Sequence, residues 1–209
     1  MLQSVELFSG SGAISEILAT NNYKTFTIDF DASLHPDLCI DILDLELKHL
    51  PGTVNLIWAS PDCRYFSRAA AQKHWQKTTM SYRNYLYFPR TPEAEKSIAL
   101  INKTIELIDY LKPAVWFIEN PVGRLPHINS MRSLGHYRYA VNYQDWGFTY
   151  SKETYIFTNQ LLPLSTTVPL RHGAGLRSIN DRKTRSRVPP NLIQFLINHT
   201  FIKDTIYKI

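Results

Sequence analysis

Residues 4–12, Ser4-Val5-Glu6-Leu7-Phe8-Ser9-Gly10-Ser11-Gly12, decide the fold. Ser4–Phe8 is a short β-type run, and Ser9–Gly12 is a tight turn in which glycine lets backbone come close to a ligand. Ala13–Thr20 follows with helical spacing of its apolar residues and stops at Asn21-Asn22. Strand, glycine turn and helix in this order aim the first N–H groups of the helix at the strand's carboxyl edge, a cradle for a nucleotide-like ligand. The same turn also serves a helix that only has to pack closely on its strand. Neither Gly-x-Gly-x-x-Gly nor the phosphate-loop pattern with Gly-Lys-Ser/Thr is present, which argues against dinucleotide and ATP-phosphate sites of those types.

Outward from this stretch the pattern alternates. Lys24–Phe30 (KTFTIDF) and Val54–Ala59 (VNLIWA) read as strands, the second stopped by Ser60-Pro61. Pro92–Leu111 reads as a helix, with Thr91 as N-cap and Pro92 in the first position. Ala114–Ile118 is a further buried strand, and Tyr137–Asn142 with Thr154–Thr158 form a terminal strand pair around Gly147. Asn191–His199 reads as a short amphipathic helix. Strands spaced by helices predict an α/β fold with a mostly parallel sheet covered on both faces.

Composition supports this. A chain of 209 residues, 44% hydrophobic and 20% charged, has enough apolar side chain for one sizeable core and excludes a disordered or collagen-like chain. No apolar run approaches the roughly 18 residues that span a membrane, and the N-terminus has no secretory pattern. The expectation is therefore a chain without a membrane partner, in a reducing, intracellular setting. With two cysteines, Cys39 and Cys63, neither a disulfide framework nor a four-cysteine metal site is expected, and no metal is assigned. A net charge of +5 permits a polyanionic partner.

Two further motifs leave strands at the edge where α/β sheets bind ligands. Ser60–Ser67 (SPDCRYFS) carries Cys63, either a nucleophile whose thiolate Arg64 favours or an inert thiol. Trp116–Pro121 (WFIENP) carries Glu119, whose apolar strand suits a proton donor at neutral pH, although a cap or a solvated acid is equally open. Asp29 ends the second strand and suits a ribose diol. Two long stretches interrupt the alternation. Arg64–Arg90 is a polar insert whose cations interleave with Tyr65, Trp75, Tyr82, Tyr85, Tyr87 and Phe88, the recipe of a nucleic-acid groove or a solvated loop with aromatics packed beneath. Pro163–Pro190 holds Arg171, His172, Arg177, Arg182, Lys183, Arg185 and Arg187, a basic loop or a clamp.

Taken together, these motifs resemble the DNA cytosine-5 methyltransferase family, in family order over most of residues 1–159 and more weakly over 185–200. The resemblance implies a Rossmann-like S-adenosylmethionine-dependent methyltransferase fold and methyl transfer to C5 of cytosine in DNA. It implies cofactor contacts from Phe8, Ser9, Gly10, Gly12, Asp29, Phe30, Asp41, Ile42 and Ser60. The implied catalytic residues are Cys63 as nucleophile at C6, Glu119 as donor to N3, Asn120 orienting loop and base, and Lys152 in the stretch that supplies cations to the target base. Arg64, Ser67, Arg68, Lys73 and Arg83 are expected on the nucleic acid. Residues 1–160 would form the catalytic and cofactor domain, 161–190 a reduced basic recognition segment and 191–209 a C-terminal helix returning to the catalytic domain.

This chain departs from the family at three places. Asp62 stands where a second proline is usual, and beside the thiol it should raise the pKa against Arg64. The Gln-x-Arg-x-Arg stretch falls on Tyr150, Lys152 and Thr154. The segment after the last strand is short for a recognition domain, which admits a separate specificity partner. Two alternatives stand beside the leading reading: a catalytically silent nucleic-acid-binding relative, and a methyltransferase for RNA or cytidine nucleotides.

Overall fold

The computed structural model describes residues 1–68, 72–81, 84–168 and 186–200. Its centre is a seven-stranded sheet built from β1 (Leu2–Leu7), β2 (Tyr23–Asp29), β3 (Leu38–Cys39), β4 (Leu56–Ala59), β7 (Val115–Pro121), β8 (Tyr137–Asn142) and β9 (Glu153–Thr158). The spatial order is β3-β2-β1-β4-β7-β9-β8. β3, β2, β1, β4 and β7 run parallel, and β9 lies antiparallel between β7 and β8. The order reverses between β1 and β4, so the turn after β1 and the loop after β4 open onto one crevice at the carboxyl edge.

Period-two burial sorts the side chains into two layers. Val5, Leu7, Ile57, Ala59, Trp116, Ile118 and Phe157 pack in a core with Ala94, Ile101, Leu107 and Ile108 of α2 (Pro92–Leu111). Leu56, Trp58, Val115, Phe117 and Ile156 face the opposite way. They meet Ile14 and Leu18 of α1 (Ala13–Thr20), and Leu192, Ile193 and Leu196 of a C-terminal helix. A short helix, α3 (Asn129–Ser133), precedes β8, and the C-terminal helix is α4 (Pro190–Asn198). Each fully buried Leu or Ile adds about 2 kcal/mol. Helix α4 is also tied to α1 by reciprocal amide bonds of 2.9 Å between Asn21 and Gln194. Leu162 and Val188 are buried in that same core, so the chain on either side of 163–187 is anchored to the sheet.

The fold corrects one reading of the sequence. Residues 64–90 are not one long loop, because β5 (Trp75–Ser81) and β6 (Asn84–Pro89) form an antiparallel hairpin. Only its base is buried. Trp75 Nε1 donates to Tyr65 O at 2.7 Å, and the Trp75 ring lies 5.4 Å from that of the fully buried Phe66. Among the described residues, no helix is long and apolar enough to cross a membrane. The cations Arg171, His172, Arg177, Arg182, Lys183 and Arg185 lie outside the described residues.

Candidate active site

The turn after β1 is held in a conformation that few side chains tolerate. Phe8, Gly10 and Gly12 have φ of 60°, 53° and 72°. The buried Asp29 at the end of β2 sets this shape, accepting Gly10 N–H at 2.9 Å and Asp31 N–H at 3.0 Å. Glu6 accepts the N–H of Ser15 at 3.0 Å, fixing the first turn of α1, and burial pushes its carboxyl up to about 8.

Beside the turn lies a cavity of about 330 Å³, lined by Phe8, Asp29, Phe30, Asp41 and Ile42. Glu93, Lys96, Ser97 and Leu100 of α2, with Ile28 and Ile40, extend its wall. Phe30 is 75% exposed at the lip. Asp41 accepts Leu43 N–H at 3.1 Å and pairs with Lys96 Nζ at 2.9 Å. Ser9, Gly10, Gly12 and Ser60 are not in the wall. The first three form the turn, and Ser60 Oγ accepts the Trp58 indole at 2.9 Å. Apolar faces for a flat heterocycle, with carboxylates for a diol and an ammonium, make a donor and acceptor set that fits an adenosyl compound.

The cavity's far wall belongs to the loop after β4, since Asp62, Arg64 and Tyr65 line it. Cys63 sits between two of these residues. Its thiol is pushed up first by burial, then by Glu119 and Asp62, with Lys152 pulling it down. The Arg64 guanidinium folds back onto Asp62, with Nε 2.7 Å from Oδ2, so its charge is taken up first by that carboxylate and only then by the Cys63 thiolate, and Lys152 is the main cation acting on the sulfur.

Glu119 and Asn120 close β7, both buried. Asn120 Nδ2 donates to Pro61 O at 3.1 Å, pinning the cysteine loop to the strand. Lys152 is 6% exposed and its Nζ lies 3.4 Å from Glu119 Oε1. Asn142 holds the segment in place by accepting Lys152 N–H at 3.1 Å and Gln144 N–H at 3.2 Å. Sequence reasoning missed Tyr143, whose hydroxyl donates to Glu119 Oε1 at 2.7 Å and is also hydrogen-bonded to Thr154. It missed Gly123 too. A Cβ there would stand 2.0 Å from Phe66 O, so the residue after Val122 passes directly against the cysteine loop.

The expected nucleic-acid residues scatter along this rim. Ser67 bridges to Gly123, Arg68 pairs with Glu153 at 2.8 Å, and Lys73 is exposed at the foot of the hairpin. Arg83 lies outside the described residues. Among the described residues, no group of three or more His, Cys, Asp or Glu is placed to hold a metal ion.

No family model matches the chain. A frog virus 3 (isolate Goorha) protein named "Probable DNA (cytosine-5)-methyltransferase" is 29% identical over 164 residues, covering 76% of this chain and 71% of the relative. Among solved structures, the Schizosaccharomyces pombe Dnmt2 methyltransferase matches 90% of this chain and 59% of its own, with TM-score 0.51 and 15% identity. The Entamoeba histolytica methyltransferase EhMeth matches 81% of this chain and 58% of its own, also with TM-score 0.51 and 15% identity. The chain thus spans less than two thirds of the length of these structures, and shares with them the Rossmann-like α/β methyltransferase fold. The sequence resemblance is to DNA cytosine-5 methyltransferases.

Proposed function

We propose that this chain, similar in sequence to DNA (cytosine-5)-methyltransferases and alike in fold to methyltransferases, transfers a methyl group from S-adenosylmethionine to C5 of cytosine in DNA. One observation carries the reading. Asp62 and Arg64, on either side of Cys63, line the adenosyl-sized cavity, while Glu119 and Lys152 both act on the Cys63 thiol. A nucleophile, a proton donor and a cofactor cavity therefore meet at the carboxyl edge of β4 and β7.

Cytosine C5 is a weak nucleophile, and the side chains present remedy that. The Cys63 thiolate forms a bond to C6, which turns C5 into an enamine carbon. Glu119 hydrogen-bonds or protonates N3, absorbing the charge that the addition pushes into the ring. Asn120 keeps the cysteine loop in register with β7 through Pro61 O. Lys152 favours the thiolate and holds the Glu119 carboxyl. When bound, S-adenosylmethionine supplies an electrophilic methyl on a sulfonium. After transfer, loss of the C5 proton to a base expels Cys63 and restores the aromatic ring. C6 is covered in a stacked duplex, so the target base enters flipped or already unpaired. Residues 1–160 as the catalytic unit, 161–190 as a reduced recognition segment supplemented by a partner chain, and a cytoplasmic location belong to the same proposal.

The test is tritium transfer from labelled S-adenosylmethionine to cytosine-containing DNA, with Cys63→Ala as control. Incorporation by the parent chain and loss in Cys63→Ala is expected, and equal incorporation defeats the cysteine assignment. The raised thiol favours a second reading, a silent nucleic-acid-binding relative. A covalent complex with 5-fluorocytosine DNA formed in the presence of cofactor rules that reading out.

A further inference from the structure

Beyond the cysteine rim, the β5–β6 hairpin stands against the loop that follows β7 and encloses two contiguous recesses. The larger, about 490 Å³, is lined by Lys73, Lys77, Arg90 and Arg124 with Trp75 and Tyr87. The smaller, about 250 Å³, is lined by Arg68, Arg124 and His127 with Tyr85, Tyr87 and Tyr155. They share Tyr87 and Arg124, and among the described residues no acid lines either one. The smaller recess also includes Val122 and Gly123, directly after Glu119-Asn120-Pro121, so the pair leads away from the target-base site.

The surface is prebuilt. Arg124 donates to Ser67 O at 2.7 Å, and its guanidinium carbon is 5.4 Å from the centre of the Tyr87 ring. Its Nε is buried without a partner among the described residues. Arg132 grips the hairpin through Asn84 Oδ1 at 2.7 Å and Tyr85 O at 2.8 Å. His127 stacks on Tyr85 with ring centres 4.4 Å apart, and Lys77 Nζ sits 4.0 Å from the Tyr85 ring centre. Burial, and then the neighbouring Arg138, Arg132 and Lys77, hold His127 down at about 4, so at neutral pH it adds an aromatic face and no charge.

We infer that these recesses are a track for a single, unpaired DNA strand flanking the target cytosine, with phosphates on Arg124, Lys73, Lys77 and Arg90 and base faces against the tyrosines. The inference rests on the methyl-transfer reading for its location and adds the form of the substrate. A basic groove with interleaved aromatic rings binds a strand whose base faces are accessible. A duplex instead offers a convex cylinder with its bases stacked inside, and that shape does not enter small tyrosine-lined recesses. Arg68 is already paired with Glu153, but the other cations meet no carboxylate among the lining residues, and they fit a polyanion.

Lys77 and Arg90 are both exposed, and their replacement tests the track without disturbing the core. Fluorescence anisotropy on the full chain would compare a labelled cytosine-containing single strand, the same sequence as duplex and the same sequence as RNA, over a salt series. The single DNA strand is expected to bind at least about tenfold tighter than the duplex. In Lys77→Ala/Arg90→Ala its affinity should fall about tenfold and the log–log salt slope by about 1.4, at ~0.7 for each phosphate no longer neutralised. Calorimetric affinity for S-adenosylmethionine should stay at the parent value, which confirms the folded state. Duplex binding as tight as the single strand, RNA binding tighter than DNA, or a double variant with parent affinity and slope overturns the inference. If the expected binding pattern is met but no DNA accepts a methyl group, the track stands and the methyl-transfer reading fails. If methyl transfer occurs and the double variant binds as the parent does, the track alone fails.

Discussion

The fully buried Tyr143 donates its hydroxyl proton to Glu119 Oε1 at 2.7 Å, on the oxygen that also lies 3.4 Å from Lys152 Nζ. Lys152 Nζ is in turn 4.6 Å from the centre of the Tyr143 ring. One tyrosine therefore orients the carboxyl and shelters the cation beside it. Burial, and then the Glu119 charge, raise the Tyr143 phenol well above its ordinary value, so it stays a donor throughout the working pH range. Thr154 engages the same hydroxyl and so joins this buried network.

Tyr143→Phe keeps the ring on which Lys152 packs and removes only the hydrogen bond. A bond to a buried carboxylate contributes about 1.5–3 kcal/mol, so kcat should fall roughly tenfold to a hundredfold, with little change in KM for DNA. Steady-state kinetics checks this; a parent-like kcat would reduce Tyr143 to packing.

In the proposed reaction the Cys63 thiol ionises before it attacks, and burial raises its pKa, so adduct formation should accelerate as pH rises through the neutral and alkaline range. Lys152→Met removes the cation that opposes the rise. The midpoint should move up and the rate at neutral pH fall on the order of tenfold to a hundredfold. Asp62→Asn removes a neighbouring negative charge and should move the midpoint down. Rates of covalent trapping on 5-fluorocytosine DNA measure both shifts, and shifts of the same sign would refute this account of the thiol.

Gly123→Ala puts a methyl group where Phe66 O already stands, 2.0 Å from the new Cβ. The loop carrying Cys63 must retreat, because Phe66 is locked under Trp75. Overpacking of this kind costs about 1–3 kcal/mol, so the chain should still fold and bind cofactor while kcat drops at least about a hundredfold. Thermal unfolding, cofactor calorimetry and kcat together separate a displaced loop from a collapsed fold.

Glu6 offers a stability test away from the chemistry. Its carboxyl is raised from 4.5 to about 8, so between these values the folded chain holds a proton that the unfolded chain releases. Stability contributed by this group is full below the ordinary value and declines as pH rises to about 8. Glu6→Gln retains an acceptor for Ser15 N–H and carries no charge. It should stabilise the chain at pH 8 by roughly 4 kcal/mol, about 12 °C in melting temperature, with little gain at pH 4.5. An equal gain at both pH values would contradict the proton linkage.

Much of this was legible in one dimension. Helix α2 begins and ends where Thr91, Pro92 and the apolar spacing place it, and Thr91 Oγ1 accepts Ala94 N–H at 3.4 Å. Helix α1 and strand β8 also fall on their expected bounds, because long periodic segments with clear stops leave little choice. The hairpin was not legible, since all but the first residue of β5 is exposed or half-buried and no apolar alternation marks it. Its support comes from Tyr65, which accepts the Trp75 indole N–H, and from Arg132, residues that meet the hairpin only in three dimensions. The partners of Arg64 and Glu119 escaped for the same reason. Adjacency to Cys63 says nothing of the backward fold onto Asp62, and a lone tyrosine after β8 carries no sign of the carboxyl it meets.

The amide clasp between Asn21 and Gln194 has an architectural consequence. It fastens the returning helix to the first helix of the fold, so the chain leaving β9 and the chain entering α4 are anchored independently of whatever joins them. Doubling the length of such a connection costs only about 0.6 kcal/mol of closure entropy. The scaffold is thus a socket: a connection of very different length between Leu162 and Val188 would leave the sheet and the cavity at its carboxyl edge in place.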